Sequence, residues 1–225
     1  MIAAAPRSSA HSRAPFALLR PAAALLVAAP AAYFLWVKLA SYAHFDPAAY
    51  RHYWVVRWWL VSHILGGATA LCIGPLQFWP ALRRRNIRLH RILGRVYLGS
   101  IAVGSVGGFY MAAFHAGGGF GFSLAFLDLA WALTASMALV AIRHRQIALH
   151  REWMVRSYVV TYGFVLFRIL QYSHVLHGLG REEAAAAGWA CWAPPLLVTE
   201  VVLQWRRLIA GPPAAERRQT STPVG

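Results

Sequence analysis

Charge is scarce in this chain, and acid scarcer still. Only 13% of its 225 residues are charged, and Asp and Glu together number seven. A soluble domain carries nearer a quarter charged residues, so an ordinary solvated surface is excluded. Cysteine is almost absent. Cys72 and Cys191 both fall within apolar runs, which excludes a disulfide framework and a cysteine zinc site and leaves them as small packing residues. No GxSxG, HExxH or CxxC pattern occurs, so a hydrolase of the soluble kind is excluded as well.

Hydrophobic residues fill the space: 59% of the chain, with a mean hydropathy of +0.47. Six stretches approach the ~20 apolar residues that a spanning helix needs, at about 21–41, 55–82, 92–114, 122–142, 155–176 and 188–205. The expected fold is all-α: a six-helix transmembrane domain over 21–206, with basic disordered tails at 1–20 and 207–225. The first run is alanine-rich and preceded by arginines, as a signal peptide is, but continues through Tyr33, Phe34, Leu35 and Trp36. A retained helix, kinked near Pro30, is the expectation. The glycine-rich stretch HAGGGFGF at 115–122 predicts a tight hairpin between the third and fourth spans.

The net charge of +15 would suit a nucleic-acid binder if the chain were soluble, but its arginines lie between apolar runs rather than along one face. They sort by side. Arg7, Arg13, Arg20, the six from Arg83 to Arg95, the four from Arg143 to Arg156, and Arg206, Arg207, Arg217 and Arg218 share one side, 17 of the 22 basic residues. Lys38, Arg51, Arg57 and Arg181 lie opposite, and Arg168 falls inside a span. By the positive-inside rule both termini are cytoplasmic, in a bacterial inner membrane, with anionic lipid against the basic loops and no nucleic acid as partner. Trp54, Trp58, Trp59, Trp189 and Trp192 suit the interfacial aromatic belt, and His44, His52, His174 and His177 the same interface.

Two of the basic loops are copies. RRRNIRLHR at 83–91 and RHRQIALHR at 143–151 match at six of nine positions, 60 residues apart. A duplicated helical hairpin explains this, with a pseudo-twofold axis along the membrane normal and a central four-helix bundle. His90 and His150 become equivalent positions at one side and one depth.

HILGGATALCIGPLQF (63–78), LHRILGRVY (89–97) and LHREWMVRSY (149–158), with Arg168 beyond, resemble a bacterial family of membrane proteins defined by domain of unknown function 2306. The resemblance covers roughly 55–205 and implies multipass topology and little more. A looser likeness to transmembrane b-type cytochromes rests on histidines in a small helical bundle.

Helical spacing sorts the polar residues. His90, Gly94, Tyr97, Ile101, Gly104, Gly108, Met111 and His115 share one face of the third span. His150, Met154, Ser157, Thr161, Arg168 and Tyr172 share a sector of the fifth. His63 shares its face with Gly67, Ala70, Gly74 and Gln77, a small-residue seam. A mid-span arginine must face the interior and find a partner. His63, Asp128 and Arg168 stand at matching depth, which predicts a cluster of the three with Asp128–Arg168 paired. Glu200 is placed to meet Arg95 or Arg156.

Three functions follow. In the first, His90 and His150 ligate a haem b iron, Arg91, Arg151, Arg95 and Arg156 take its propionates, Tyr97 and Tyr158 complete those contacts, and His63 with His115 forms an outer pair. Such a protein serves a redox partner. In the second, His63, Asp128 and Arg168 are the working cluster of a transporter or proton-coupled carrier, with an anionic small molecule drawn to the basic mouth. In the third, the chain is a structural or assembly protein, a homo-oligomer among the options, whose polar residues only fix packing.

Overall fold

The structure, a computed structural model, describes residues 14–172 and 180–210; His174, His177, the end of the fifth expected span and most of both tails lie outside them. Among the described residues every regular element is helical: α1 (Ala14–Ala43), α2 (Pro47–Tyr50), α3 (Arg57–Phe78), α4 (Pro80–Arg85), α5 (Ile87–Met111), α6 (Gly118–Arg143), α7 (Ile147–Tyr172), α8 (Arg181–Ala190) and α9 (Ala193–Ala210). A 3-10 segment, Arg51–Val56, leads into α3, and a π turn, Ala112–Ala116, closes α5.

Local chemistry explains the boundaries that differ from expectation. Pro80 forces the residue before it out of helical geometry. Trp79 accordingly sits at ψ 111°, and the expected second span breaks into α3 and the short α4. Asn86 then starts α5 five residues before the expected 92, its side-chain oxygen accepting the Leu89 N–H at 2.9 Å. The last expected span is two helices, parted at Cys191–Trp192 ahead of Pro194 and Pro195, which lack the N–H a helix interior requires. The N-terminal tail expected over 1–20 is helical from Ala14, with Pro15 in the first turn where its missing N–H goes unneeded. Likewise, α9 runs past the expected end at 206 to Ala210.

Five segments are long and apolar enough to cross a membrane: Pro47–Phe78, Ile87–Ala116, Gly118–Arg143, Ile147–Leu170 and Glu182–Ile209. The 26 residues of α6 reach about 39 Å at 1.5 Å per residue. The surface supports the same reading. Val103, Val106 and Phe109 on α5 and Phe122, Phe126, Leu129, Leu133 and Val140 on α6 point outward, while small and polar residues point in. In water this arrangement would be unstable; in lipid it lets small residues bring helices together and shelters polar groups.

The helices on either side of each repeated segment pack as a pair, α3 with α5 and α6 with α7, and α5 also packs on α6. Both repeated segments turn and start a helix at equivalent isoleucines, Ile87 and Ile147. Equivalent positions also touch: the Tyr97 hydroxyl lies 3.0 Å from the Ser157 hydroxyl, 60 residues on. The copies differ where α6 runs unbroken through the position at which Pro80 interrupts its mate. A central core of Ala70, Tyr97, Ile101, Leu127, Trp131, Ala135, Ala138, Met154 and Val160 holds the four helices, and Ala31 of α1 packs on Leu71 and Val165. At the far end from the basic loops, Gly117 at φ 63° and Gly118 at φ 57° form the turn into α6, a conformation other residues rarely adopt.

Candidate functional site

The sequence places candidate residues at both ends of the bundle, and the structure treats the two ends differently. At the far end, α1, α3, α5, α6 and α7 surround a cavity of about 160 Å³. His63, Asp128, Thr161 and Arg168 line it together, beside Phe34, Phe120, Phe164 and Val165. Three helices, α3, α6 and α7, thus bring four polar side chains from distant parts of the chain to one apolar hollow.

Each is held differently. The His63 Nδ1–H donates to the Gly104 carbonyl across the α3–α5 contact at 2.9 Å. A carbonyl cannot donate, so Nδ1 carries a proton, and the ring when neutral keeps its lone pair on Nε2. Trp131 and Phe164 pack edge-on to this imidazole, with ring centroids at 6.2 and 5.3 Å. Asp128 is 3% exposed, its Oδ1 lies 3.9 Å from His63 Nδ1, and that oxygen has no hydrogen-bond partner. Gly108 faces the pair: a Cβ there would collide with both Asp128 oxygens and with His63 Nδ1. Its missing side chain lets the carboxyl and the imidazole pack directly against α5.

From the cavity a line of hydroxyls runs toward the basic end. Trp131 Nε1–H donates to Thr161 Oγ1 at 2.8 Å, and the Thr161 hydroxyl donates to the Ser157 carbonyl at 2.8 Å. The Tyr97 hydroxyl, fully buried, lies 3.0 Å from Ser157 Oγ and 3.4 Å from Thr161 Oγ1. Beyond it Gln77 is buried with its Nε2 unpartnered.

The basic end gathers a different set. The His150 Nδ1–H donates to the Ala138 carbonyl at 2.8 Å. His90 Nδ1 is buried without a partner, and Arg83, Arg91 and His150 lie close enough to act on it electrostatically. Arg91, Arg95 and Arg151 are exposed. The other expected propionate ligands are engaged elsewhere. The Tyr97 hydroxyl belongs to the hydroxyl line, Tyr158 donates toward the Leu71 carbonyl at 3.4 Å, and Arg156 is bound by acid. His115, expected beside His63, instead stacks on His52 with centroids 5.6 Å apart and planes within 6°. Among the described residues no group of three or more His, Cys, Asp or Glu gathers as a metal ion needs.

Of the two partners expected for Glu200, the structure selects Arg156, whose Nε donates at 2.8 Å and Nη2 at 2.5 Å. Arg156 also lies over the Trp153 ring, 4.7 Å from its centroid, and 3.6 Å from Glu152, which in turn binds Arg207. This clamp ties α7 to α9. Arg156 is 7% exposed, so removing the Glu200 charge leaves this buried cation with Glu152 alone, at 3.6 Å. Glu200→Gln is expected to cost about 2 kcal/mol, read as a lower thermal midpoint in detergent with helicity retained at 20 °C. Expectation missed Glu152, although an acid four residues before Arg156 is a standard helical pairing. It also missed Trp131, one helical turn beyond Asp128 and on the same face.

No curated protein and no solved structure matches this chain. A family model described as a predicted membrane protein matches residues 60–203, more than half of the sequence and the whole stretch from α3 into α9. Apolar exterior, polar interior and family agree on a multipass protein embedded in a lipid bilayer. The chain belongs to the membrane-protein family defined by domain of unknown function 2306.

Proposed function

We propose that the chain is a proton-coupled carrier of the bacterial inner membrane, working through His63, Asp128 and Arg168. The observation that carries this reading is the shared cavity: a buried carboxyl with an unpartnered oxygen, an imidazole and a guanidinium meet inside an otherwise apolar bundle. Ionisable groups are costly at membrane depth and are kept where they do work. Asp128 and His63 exchange the proton, and Arg168 supplies the positive charge that compensates the carboxylate. The hydroxyls of Thr161, Ser157 and Tyr97 extend this polar path about one helical turn toward the basic end. In this reading α1 is a sixth span, both termini are cytoplasmic, and the basic loops meet anionic lipid. Protein reconstituted in liposomes around a pH-sensitive dye is expected to pass protons under an imposed potential well above empty liposomes. Flux equal to that of empty liposomes ends the reading.

A second reading, haem b at the basic end, is supported by one arrangement. His150 donates through Nδ1 to a backbone carbonyl, which fixes the ring and presents Nε2 as an axial ligand's would be. His90 lies within electrostatic range of it with Nδ1 unpartnered. Arg91, Arg95 and Arg151 would take the propionates, since Arg156 is committed to Glu200. Bound haem would supply one-electron transfer across this face. A dithionite-reduced minus oxidised spectrum of membranes containing the protein tests it. A b-type alpha band lost in both His90→Ala and His150→Ala is the expected result, and no band from haem-replete, folded protein removes this reading.

A further inference from the structure

The cavity at the far end has three properties that together select a ligand. The first is size. Its volume is about 160 Å³, and a hollow of roughly 150 Å³ walled by Leu, Ile and Phe accepts one benzene ring. The second is the wall. Phe34, Phe120, Phe164, Leu71 and Val165 offer ring faces and branched aliphatics, surfaces suited to the flat face of an aromatic ring.

The third property is the inventory of open hydrogen-bond positions. The Thr161 hydroxyl is spent, donating to the Ser157 carbonyl and accepting from Trp131. His63 has spent its Nδ1–H on the Gly104 carbonyl, which leaves the lone pair of Nε2. Asp128, 3% exposed, keeps Oδ1 without a partner. The polar corner therefore presents two acceptors, Asp128 Oδ1 and the Nε2 of a neutral His63, beside the Arg168 guanidinium, and Gly108 leaves room for the carboxyl itself. A carbonyl compound brings only acceptors and leaves both of these unsatisfied while Asp128 is ionised. A hydroxyl both donates and accepts, so it pairs with the Asp128 carboxyl whether or not that group carries a proton.

We infer that the cavity binds a single hydroxylated aromatic ring, a phenol or hydroquinone, either free or as the head of a membrane-borne quinol. The inference rests on reading this cavity as the working site of the carrier, and it names the class of its ligand. Arg168, at the same cavity, favours the phenolate over the neutral phenol when the ring gives up its proton.

Calorimetric titration of the full-length protein in lipid nanodiscs, with hydroquinone, phenol and benzene as probes, tests this. Hydroquinone and phenol are expected to bind saturably at one site. Asp128→Leu, an apolar side chain of similar size, is expected to weaken hydroquinone at least tenfold while benzene binds as well as before. Retained benzene binding shows that the variant is folded. Leu124→Trp, which fills the apolar body of the cavity from α6 and leaves the polar corner intact, is expected to remove all three. Absence of saturable binding, or hydroquinone binding that both variants leave within twofold, overturns the inference. A decyl-chain benzoquinol that binds more than tenfold tighter than hydroquinone assigns the ring to a membrane quinol, and one that does not assigns it to a free phenol. Ring binding without proton flux keeps this inference and removes the carrier reading. Flux that depends on Asp128 without ring binding does the reverse.

Discussion

Asp128→Asn is expected to reduce proton flux in liposomes to the level of empty vesicles, the largest functional effect that any single substitution in this chain should have. Asparagine keeps the size of the side chain and an acceptor oxygen, so the packing around Leu127 and Trp131 is retained, but its amide neither takes up nor releases a proton at working pH. The amide also meets the same corner: His63 Nδ1 at 3.9 Å from Oδ1 and the bare backbone of Gly108. Asp128→Glu retains a titratable carboxyl and should keep measurable flux at reduced rate, because one extra methylene pushes the group toward Gly108. His63→Gln should lower flux less than Asp128→Asn does, since glutamine can still donate to the Gly104 carbonyl although it cannot shuttle a proton. The ordering separates a proton-handling cluster from a packing device. If Asp128→Asn conducts like the parent protein at equal folded yield, the carboxyl serves only to fix helix register.

Much of this was legible in the sequence, for reasons that differ by residue. His63, Asp128 and Arg168 could be brought together because depth in a spanning helix is read from residue number at 1.5 Å per residue, and all three do line one cavity. The inward face of α5 was legible for the same reason: Tyr97, Ile101, Gly104, Gly108 and Met111 follow helical spacing, and all are buried. Spacing alone does not say what a buried hydroxyl meets across a helix pair. Spacing thus puts Tyr97 on the inward face below His90 but does not reveal that its hydroxyl meets Ser157 and Thr161. His115, expected beside His63, lies in the π turn Ala112–Ala116 that follows α5 and shifts the helical phase, and its ring stacks on His52. Helix ends were read from hydropathy, which ignores that Asn86 can cap and that Pro80 must interrupt.

The α3–α5 seam yields the largest expected structural effect, and it sets two neighbouring glycines apart. The sequence places Gly67 in the seam with His63, Ala70 and Gly74; the structure gives the close approach to Gly66. A Cβ on Gly66 would lie 2.5 Å from the Ser100 carbonyl oxygen and 2.7 Å from the Gly104 Cα, both backbone atoms. Backbone of a packed helix cannot swing aside, so α3 and α5 must separate. Separation stretches the bond from His63 to the Gly104 carbonyl, which spans the same seam, and opens the wall of the cavity. Gly66→Ala is expected to cost about 2–3 kcal/mol by overpacking. On a chain of this size that lowers Tm by on the order of 5–10 °C, with proton flux reduced in the fraction that stays folded. Gly67→Ala meets nothing within 4 Å. There a methyl replaces the least favourable ordinary residue of a helix interior, so Tm should hold or rise slightly. Thermal unfolding of the two variants in one detergent, followed by helical circular dichroism, decides the matter. Equal shifts for both would place the helix contact elsewhere and separate the His63 anchor from the packing of the hairpin.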